Sequence, residues 1–366
     1  MKILLTINDI SIFGGAERVV VNLANALSEV GYKVEILSFY KANKHLPYLM
    51  NDDIKLHIWN KESESAFGKY MCRNIFSKMY YKNLYKFILS LSVFFRFKDF
   101  DGIIVNDSTY IPFFKHRLTR YIRLIHLNFS KYHTRNIFFH TLVILSSREI
   151  PIWEQYHKDI KVIANFLPII SIKSTDSKQK SIISVGRMDR GDQKGFLRLI
   201  DIWAFVQEKF KSSTPPPLHS WKLIIVGDGE MRDEIESKIK NLGLQDSIVL
   251  KPFTKDIESE YLAASIYAMS SSFEGFPMVL LESCSYGLCP ISFDIKTGPS
   301  DIIENNKSGY LIQDNDLHTY AHKLIELMSD ENKRKTMGET AKARVAHKFS
   351  KEAIIPLWEE TVRAKS

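Results

Sequence analysis

The chain has 366 residues, which at about 150 residues per domain predicts two domains. Hydrophobic residues make up 45% and charged residues 25% of the chain, which excludes a disordered or fibrous protein. The 50 Lys and Arg residues exceed the 42 Asp and Glu residues, leaving a net charge of +8. An excess of positive charge this small and this spread out does not indicate nucleic-acid binding. A local cluster of Lys and Arg could still face phosphates or an anionic membrane.

The cysteines and the amino terminus indicate where the chain works. Cys72, Cys284 and Cys289 form no CxxC pair, so we expect neither a disulfide framework nor a structural zinc site. The first ten residues lack the features of a signal peptide. No run reaches the roughly 20 apolar residues that a membrane span requires. These observations favour a cytoplasmic protein.

Short β-branched apolar runs alternate with helical patterns along the chain, which is typical of parallel α/β layers. The first unit of this pattern combines a strand over 3–7, a Gly14–Gly15 loop, a helix over 16–30 and a strand over 34–39. Further strands of the first half are predicted over 102–105, 121–126, 142–146 and 161–164.

A polar stretch over 171–180 interrupts the alternation and marks a domain boundary near residue 170. We predict an N-terminal domain over 1–170, completed by a C-terminal helix within 350–366, and a C-terminal domain over 171–349. The prolines within 211–217 predict an exposed loop, because they cannot continue a helix or pair as a central strand. Strands of the second half are predicted over 181–186, 222–226, 247–250, 265–270 and 290–293.

This organisation predicts two Rossmann-like, doubly wound domains that face each other across a cleft, with ligands at the carboxyl ends of the strands. The common nucleotide fingerprints are missing, since the chain has neither GxxxxGK[ST] nor GxGxxG. Ordinary kinase, P-loop and dinucleotide-binding interpretations therefore lose support.

The strongest local motif lies within 271–287. A predicted strand leads to Glu274, then to a Gly–Phe–Pro turn, and a helix is predicted to begin near Pro277. Amides at that helix start would favour an anion such as a diphosphate. Glu274 and Glu282 could both accept hydrogen bonds from sugar hydroxyls. The alternative is a pair of ordinary helix-associated glutamates.

This stretch resembles the glutamate–seven–glutamate motif of retaining GT-B glycosyltransferases of family 4, and the resemblance extends over nearly the whole chain. It implies that Glu274 faces the transferred sugar and that Glu282 binds the nucleotide ribose. It also implies donor contacts by the residues around the turn, which are Gly275, Phe276, Met278 and Val279.

Two cations lie between the strand over 181–186 and the helix that follows it. Arg187 leaves the strand, and Lys194 is predicted to open the helix. Such a pair can neutralise a departing diphosphate, although either cation alone could equally be a solvated surface residue. The resemblance implies that both bind the donor diphosphate.

The first half contributes weaker candidates. Gly14 and Gly15 would let the backbone approach a ligand closely, and the resemblance implies a position next to the donor phosphate. Glu17 is either a helix-surface residue or an acceptor contact. His126, predicted to end its strand, is implied to contact the donor hexose, with Asn128 as a further acceptor candidate.

Two further loops are candidates for the nucleotide pocket. Gly227 and Phe253 each follow a predicted strand, and the resemblance implies that these loops hold the nucleotide, although ordinary βα-loop chemistry is the alternative. The segment over 296–312 resembles family members that assemble bacterial surface polysaccharides. We assign it no catalytic role.

A basic, aromatic segment over 69–98 contains neither Asp nor Glu. Lys78, Lys82 and Lys86 are spaced to share one helix face, which would suit anionic lipid headgroups. A core helix with a solvated lysine face is the alternative. Single-stranded nucleic acid could use the same residue types, but nothing else in the chain supports it, and we expect no nucleic-acid partner.

Together these features predict a metal-independent, retaining transferase without a cofactor, peripheral on the inner face of the cell membrane. It would move a hexose or N-acetylhexosamine from a nucleotide sugar, with UDP-sugars the first candidates, to a lipid-linked glycan in surface-polysaccharide or lipopolysaccharide assembly. The alternatives are a GT-B nucleotide-sugar epimerase, a sugar phosphorylase, or a non-catalytic partner that binds nucleotide sugar.

Overall fold

A computed structural model describes the backbone of residues 1–211 and 220–364. Of the exposed loop predicted over 211–217, the part from residue 212 onward lies outside the described residues. The chain forms two compact units. The first unit comprises Met1–Pro168 and Lys351–Ser366, and the second comprises Ile169–Ser350.

The first unit is built on a parallel sheet with the strand order β3-β2-β1-β4-β5-β6-β7. Chain order reverses between β1 and β4, and loops that follow such neighbouring strands form the usual ligand crevice of open α/β sheets. The strands are β1 Lys2–Asp9, β2 Lys33–Tyr40, β3 Lys55–Ile58, β4 Gly102–Val105, β5 Arg120–Leu124, β6 Thr141–Ile144 and β7 Ile160–Val162.

Helices cover this sheet, and the C-terminal helix is one of them. Its side chains Ile354, Ile355 and Trp358 are buried, and Tyr32 Oη donates a 2.7 Å hydrogen bond to Glu359. The C-terminal segment therefore belongs to the core of the first unit. The helices are α1 Gly15–Glu29, α2 Glu64–Met71, α3 Ile75–Asn83, α4 Tyr85–Arg96, α5 Ile150–Trp153 and, at the end of the chain, α13 Lys351–Arg363.

The second unit contains a parallel sheet with the strand order β10-β9-β8-β11-β12-β13, and its order reverses between β8 and β11. The strands are β8 Ser181–Val185, β9 Lys222–Val226, β10 Ile248–Lys251, β11 Ile266–Met269, β12 Cys289–Asp294 and β13 Tyr310–Gln313. The helices are α6 Phe196–Lys211, α7 Arg232–Asn241, α8 Ile257–Leu262, α9 Met278–Ser285, α10 Pro299–Ile302, α11 Leu317–Ser329 and α12 Glu331–Lys348.

The predicted α/β class with two Rossmann-like domains is confirmed by these two sheets. Two strands, β3 and β13, were not predicted. Both are four-residue strands at a sheet edge, and β3 has no fully buried residue. Their apolar patterns are therefore too short and too weak to stand out in the sequence.

The predicted common face of Lys78, Lys82 and Lys86 is wrong. Helix α3 ends at Asn83, and Leu84 separates it from α4, so Lys86 lies on a different helix. The Lys86 Nζ donates a 2.8 Å hydrogen bond to Ser108 O, and burial lowers the pKa of Lys86. The side chain of Lys82 lies outside the described part of the chain. No helix within the described ranges is both long enough and apolar enough to cross a bilayer.

Candidate functional site

The carboxyl edge of the second sheet gathers most of the predicted donor residues. Strands β10, β9, β8 and β11 are adjacent and parallel, so the loops that follow them lie along one edge. These loops carry Phe253, Gly227, Arg187 with Lys194, and Glu274. Residues that are far apart in the sequence thus meet at the point where strand order reverses.

A buried ion pair lies at this reversal. Lys194 Nζ is 2.7 Å from Glu274 Oε1, and the side chains are 22% and 9% exposed. Ser271 Oγ donates a 2.7 Å hydrogen bond to the same carboxylate oxygen. Charge-assisted bonds of this kind hold a buried carboxylate ionised and oriented. Glu274 and Lys194 therefore form one structural element.

Lys194 does not open α6, as the sequence predicted, but precedes it. Helix α6 begins at Phe196, because the Asp192 carboxylate accepts 2.8 and 2.9 Å hydrogen bonds from the amides of Phe196 and Leu197. Asp192 thus caps the helix, and Lys194 lies within the capping loop. An acidic residue just before a helical pattern was the signal that could have shown this boundary.

The loops after β8 and β11 are joined by hydrogen bonds that end on main-chain carbonyl groups. Ser272 N donates to Gln193 O at 2.9 Å, and Gln193 Nε2 donates to Phe273 O at 2.9 Å. The Arg198 guanidinium donates to two carbonyls of the β11 loop, Ser270 O among them. These bonds fix the distance between Lys194 and the glutamate loop.

Two glycines make room for this arrangement. A Cβ atom on Gly227 would lie 1.9 Å from Gly186 O, so only glycine allows the ends of β8 and β9 to approach so closely. A Cβ atom on Gly186 would lie 2.8 Å from Lys194 Cγ. The Lys194 side chain therefore runs across Gly186 toward Glu274.

Arg187 differs from Lys194 in its surroundings. Its side chain is 69% exposed, and its guanidinium is 3.0 Å from Asp189 Oδ2. Exposed pairs of this type are weak. Arg187 is therefore able to turn toward an anionic ligand at the same strand end, whereas Lys194 is already engaged.

Glu282 lies in α9 and is buried like Glu274. Tyr261 Oη donates a 3.3 Å hydrogen bond to its Oε2. Burial, followed by the charges of Glu274 and Glu282, raises the pKa of Tyr267. The structure therefore brings the two predicted carboxylates together around one buried phenol.

The turn between the two carboxylates has a buried and a less buried part. Gly275 and Phe276 are buried, and the Phe276 ring centroid lies 5.6 Å from that of Phe349. A donor contact by Phe276 would therefore come from its backbone. Met278 and Val279, at the start of α9, are half-buried.

The segment over 296–312, to which the sequence assigned no role, supports this turn. Thr297 Oγ1 donates a 2.8 Å hydrogen bond to Glu274 O. A Cβ atom on Gly298, whose φ is +98°, would lie 2.6 Å from Pro277 Cδ. Thr297, Gly298 and Ser271 are therefore site residues that sequence reasoning missed. The Thr–Gly–Pro run after a strand was the available signal for two of them.

The loops after β9 and β10 are joined through Asp228. Its carboxylate accepts a 2.7 Å hydrogen bond from Phe253 N and pairs with Arg232 at 3.0 Å. The Phe253 side chain is 52% exposed. An exposed aromatic ring beside Gly227 offers a face on which a planar base can stack.

In the first unit, the glycine loop and Glu17 lie together. Gly14 is the residue before α1, and a Cβ atom on it would lie 2.2 Å from Glu17 Oε2. Tyr48 Oη donates a 2.8 Å hydrogen bond to Gly14 O. Gly15 has open space around its Cα, so backbone access is greatest at Gly15.

A cavity of about 520 Å³ follows β4 and β5, with His126 and Asn128 in its lining. Gly14, Gly15 and Glu17 do not line it. The prediction that His126 ends its strand is wrong, because β5 stops at Leu124. The side chain is therefore carried by a loop.

The contact with Asn106 determines which ring nitrogen of His126 carries the proton. Asn106 Nδ2 donates to Thr6 O at 3.1 Å and to Ile104 O at 3.4 Å, so its Oδ1 is the atom 3.0 Å from His126 Nε2. An amide oxygen only accepts, which makes Nε2 the protonated nitrogen and Nδ1 the acceptor. Burial and then the charge of Arg123 lower the pKa of His126 to about 4. His126 is thus a neutral hydrogen-bond acceptor at pH 7.

Comparison with known proteins agrees with this geometry. The family model for glycosyl transferases group 1 matches residues 168–344, which is nearly all of the second unit. The chain is 33% identical over 210 residues to the amylovoran biosynthesis glycosyltransferase AmsD of Erwinia amylovora, a match that spans 56% of either chain. It is 26% identical, over 90% of both chains, to an α-1,4-N-acetyl-D-galactosaminyltransferase of Campylobacter jejuni that acts on a diphospho-undecaprenol-linked glycan.

The chain carries a glycosyl transferases group 1 domain over residues 168–344. Its fold matches that of S. aureus TarM, solved in complex with UDP, over 99% of this chain and 100% of TarM, with a TM-score of 0.78 and 15% identity. A second match is the lipopolysaccharide outer core galactosyltransferase WaaB, over the whole of both chains, with a TM-score of 0.74 and 20% identity. The predicted GT-B fold is thereby confirmed over both units, and the family resemblance agrees with the match of the second unit to glycosyl transferases group 1.

The hydrogen bond between Asn106 and His126 yields a first prediction. Replacing Asn106 with Asp places a carboxylate against Nε2, which favours the imidazolium, so the pKa of His126 should rise. An NMR titration of ¹⁵N-histidine-labelled protein measures this change. The control is Asn25→Asp. The Asn25 side chain donates to Leu49 O in the same unit, and this variant should leave the His126 titration unchanged. An unaltered His126 titration in Asn106→Asp would contradict the assigned contact.

Proposed function

We propose that this glycosyltransferase moves a hexose or N-acetylhexosamine, with retention, from a UDP-sugar to a lipid-linked glycan during surface-polysaccharide assembly. The observation that carries the proposal is the buried Lys194–Glu274 pair at the strand reversal of the glycosyl transferases group 1 unit. When the bond between a sugar and a phosphate breaks, a cation suits the phosphate end and an oriented carboxylate beside it suits the sugar end.

The donor nucleotide is assigned to the second unit. Phe253 and Gly227 would hold the base, and Glu282 the ribose hydroxyls. Arg187 and Lys194 would bind the diphosphate. Glu282 lies on α9 and reaches the ribose from there, whereas the loops after β10 and β9, β8 and β11 would meet the base, the diphosphate and the sugar in the order in which a nucleotide sugar presents them. UDP in the TarM structure supports the choice of nucleotide.

The chemistry of transfer follows from charge. As the glycosidic bond breaks, negative charge grows on the diphosphate and positive charge on the sugar ring. Cations near the diphosphate stabilise the first. Lys194, already held beside Glu274, would supply one, and Arg187 would supply another by turning in from its exposed position, without a metal ion. The Glu274 carboxylate would hold sugar hydroxyls and oppose the ring charge, with Gly275, Met278 and Val279 shaping the sugar pocket. Front-face attack by the acceptor accounts for retention.

The first unit is assigned to the acceptor and to part of the sugar. His126 Nδ1 is an acceptor nitrogen, so it suits a sugar hydroxyl that donates a hydrogen bond. Asn128 lines the same cavity, and Gly14, Gly15 and Glu17 stand at the start of α1. The lipid-linked substrate of the C. jejuni relative supports a lipid-linked acceptor. An epimerase would instead convert its substrate without a glycan acceptor, and a phosphorylase would depend on free phosphate.

The decisive experiment is transfer by Glu274→Gln. This change keeps the shape of the side chain but removes the charge beside the sugar, and we expect the rate of transfer to fall about 10²–10³-fold. Mass spectrometry of reactions with UDP- and GDP-sugars and lipid-linked acceptors measures the product. Glu236→Gln, at a side chain that is 56% exposed on α7, is the control and should transfer normally. Near-normal transfer by Glu274→Gln would disprove the site.

Arg187 provides a separate test of the diphosphate position. Arg187→Ala removes a charged hydrogen-bond donor, which corresponds to roughly tenfold to a hundredfold weaker UDP binding by calorimetry. Arg190→Ala is a matched control, because Arg190 lies three positions along in the same loop, is 88% exposed and pairs with Glu230. Equal UDP affinity in the two variants would remove Arg187 from the site.

Helices α2 and α3 carry the proposed membrane surface. Ile75, Phe76 and Met79 are 76%, 78% and 60% exposed, and the exposed cations Arg73 and Lys78 lie among them. Apolar side chains interleaved with cations are what an interfacial helix presents to anionic lipid. We propose that this surface places the enzyme on the inner face of the cell membrane, in the cytoplasm.

Co-sedimentation with vesicles containing anionic phospholipid tests this surface. Burying one phenylalanine side chain stabilises by roughly 1.5–3 kcal/mol, so Phe76→Ser should lower the vesicle partition coefficient about tenfold or more. The matched control is Leu242→Ser, at a residue of the second unit that is 46% exposed. If anionic vesicles do not retain the wild-type protein, α2 and α3 present an ordinary solvated face.

A further inference from the structure

We propose that the cavity after β4 and β5 is a phosphate-binding site for the acceptor, organised around Arg123. This inference rests on the proposed function, since it names the chemical class of the acceptor: a glycan that carries a phosphate or diphosphate group. The proposed roles of His126 and Asn128 need no phosphate on the acceptor, because hydroxyl groups can be bound without a cation.

Arg123 is the central observation. It lies in β5 and lines the cavity, and its Nη2 donates a 3.1 Å hydrogen bond to Ser108 Oγ. Its Nε is buried and has no hydrogen-bond partner among the described residues. Burial lowers the pKa of Arg123 to about 10, which still leaves it charged at pH 7. A guanidinium that lines a cavity and donates there to a single hydroxyl has further donors for an oxyanion.

The charge around Arg123 favours more than one negative charge on the ligand. Lys131 and Arg135 also line the cavity, and Asp107 is the acidic residue in its lining. Burial and then the charge of Arg135 lower the pKa of nearby Lys86, Glu64 and Asp107 raise it, and Arg123 lowers it further. Several cations against one carboxylate suit a phosphate better than a single carboxylate ligand.

The same cavity offers groups for the sugar next to that phosphate. His126 Nδ1 accepts hydrogen bonds, and Asp107 Oδ2 is a buried acceptor without a hydrogen-bond partner among the described residues. Both can accept from hydroxyl groups. The lining therefore combines cations with hydrogen-bond acceptors, and a sugar phosphate presents both an oxyanion and hydroxyl groups.

Stability gives an independent sign of function. A buried charge with an unsatisfied donor destabilises the folded state, so Arg123 is a poor choice for stability alone. Arg123→Gln removes the charge and keeps a polar side chain. Its thermal midpoint, followed by circular dichroism, should equal or exceed that of the wild type, which verifies that the variant folds.

The test is calorimetric titration of the full chain with glucose 1-phosphate while UDP is kept saturating, so that the donor site is occupied. We expect Arg123→Gln to bind at least tenfold more weakly than wild type, and Arg135→Gln, at the exposed rim, about threefold more weakly. Arg117→Gln, at an exposed arginine outside the cavity, should bind like wild type. Neutral glucose should bind more weakly than glucose 1-phosphate and be insensitive to Arg123→Gln. Equal glucose 1-phosphate affinity in wild type and Arg123→Gln would overturn the proposal.

Two competitors then identify the source of the phosphate. Farnesyl diphosphate in detergent micelles represents a lipid headgroup, and a glycerol phosphate oligomer represents a polymer backbone. Displacement of glucose 1-phosphate by either supports the site, and displacement by neither overturns it. Transfer and UDP binding are measured on the same preparations. If the protein catalyses transfer but Arg123→Gln binds glucose 1-phosphate as the wild type does, this inference alone fails. If the protein binds glucose 1-phosphate through Arg123 but catalyses no transfer, the proposed function alone fails.

Discussion

The arrangement of the second unit depends on one constraint: a carboxylate that follows β11 is held by a lysine that follows β8. Lys194 and Glu274 can meet because their strands are neighbours at the reversal of strand order. The Asp192 cap, the approach of Gly227 to Gly186 and the contact between Thr297 and the glutamate loop each fix one side of that pair. A buried carboxylate needs such support, because desolvation otherwise favours its neutral form.

Much of this could be predicted from the sequence, for identifiable reasons. Long buried parallel strands such as β1, β2 and β9 appear as continuous apolar runs, and Glu274 and Glu282 stand out because the motif around them is local. The support around them is not local. Thr297 and Ser271 act through single hydrogen bonds whose partners are known only once the loops are folded. Helix α3 ends at Asn83 although no glycine or proline marks the break in the sequence, so the regular lysine spacing was misleading.

The first unit shows a different way of using charge. His126 is kept neutral by its surroundings, while Arg123 beside it stays charged although it is buried. Burial disfavours both charges, but an imidazole can release its proton near neutral pH and a guanidinium cannot. One loop and one strand end therefore present an uncharged acceptor and a permanent cation side by side. This combination distinguishes a hydroxyl from an oxyanion within one ligand.

The packing of Phe276 on Phe349 has a consequence for how donor preference can diverge among related enzymes. Because Phe276 is part of the core, its replacement perturbs the packing of the unit before it alters a pocket. Met278 and Val279, two and three residues further on, are only half-buried and can vary at lower cost to folding. Under the proposed donor assignment, changes that alter sugar preference would therefore accumulate at the start of α9, while the carboxylate beside the turn keeps its place.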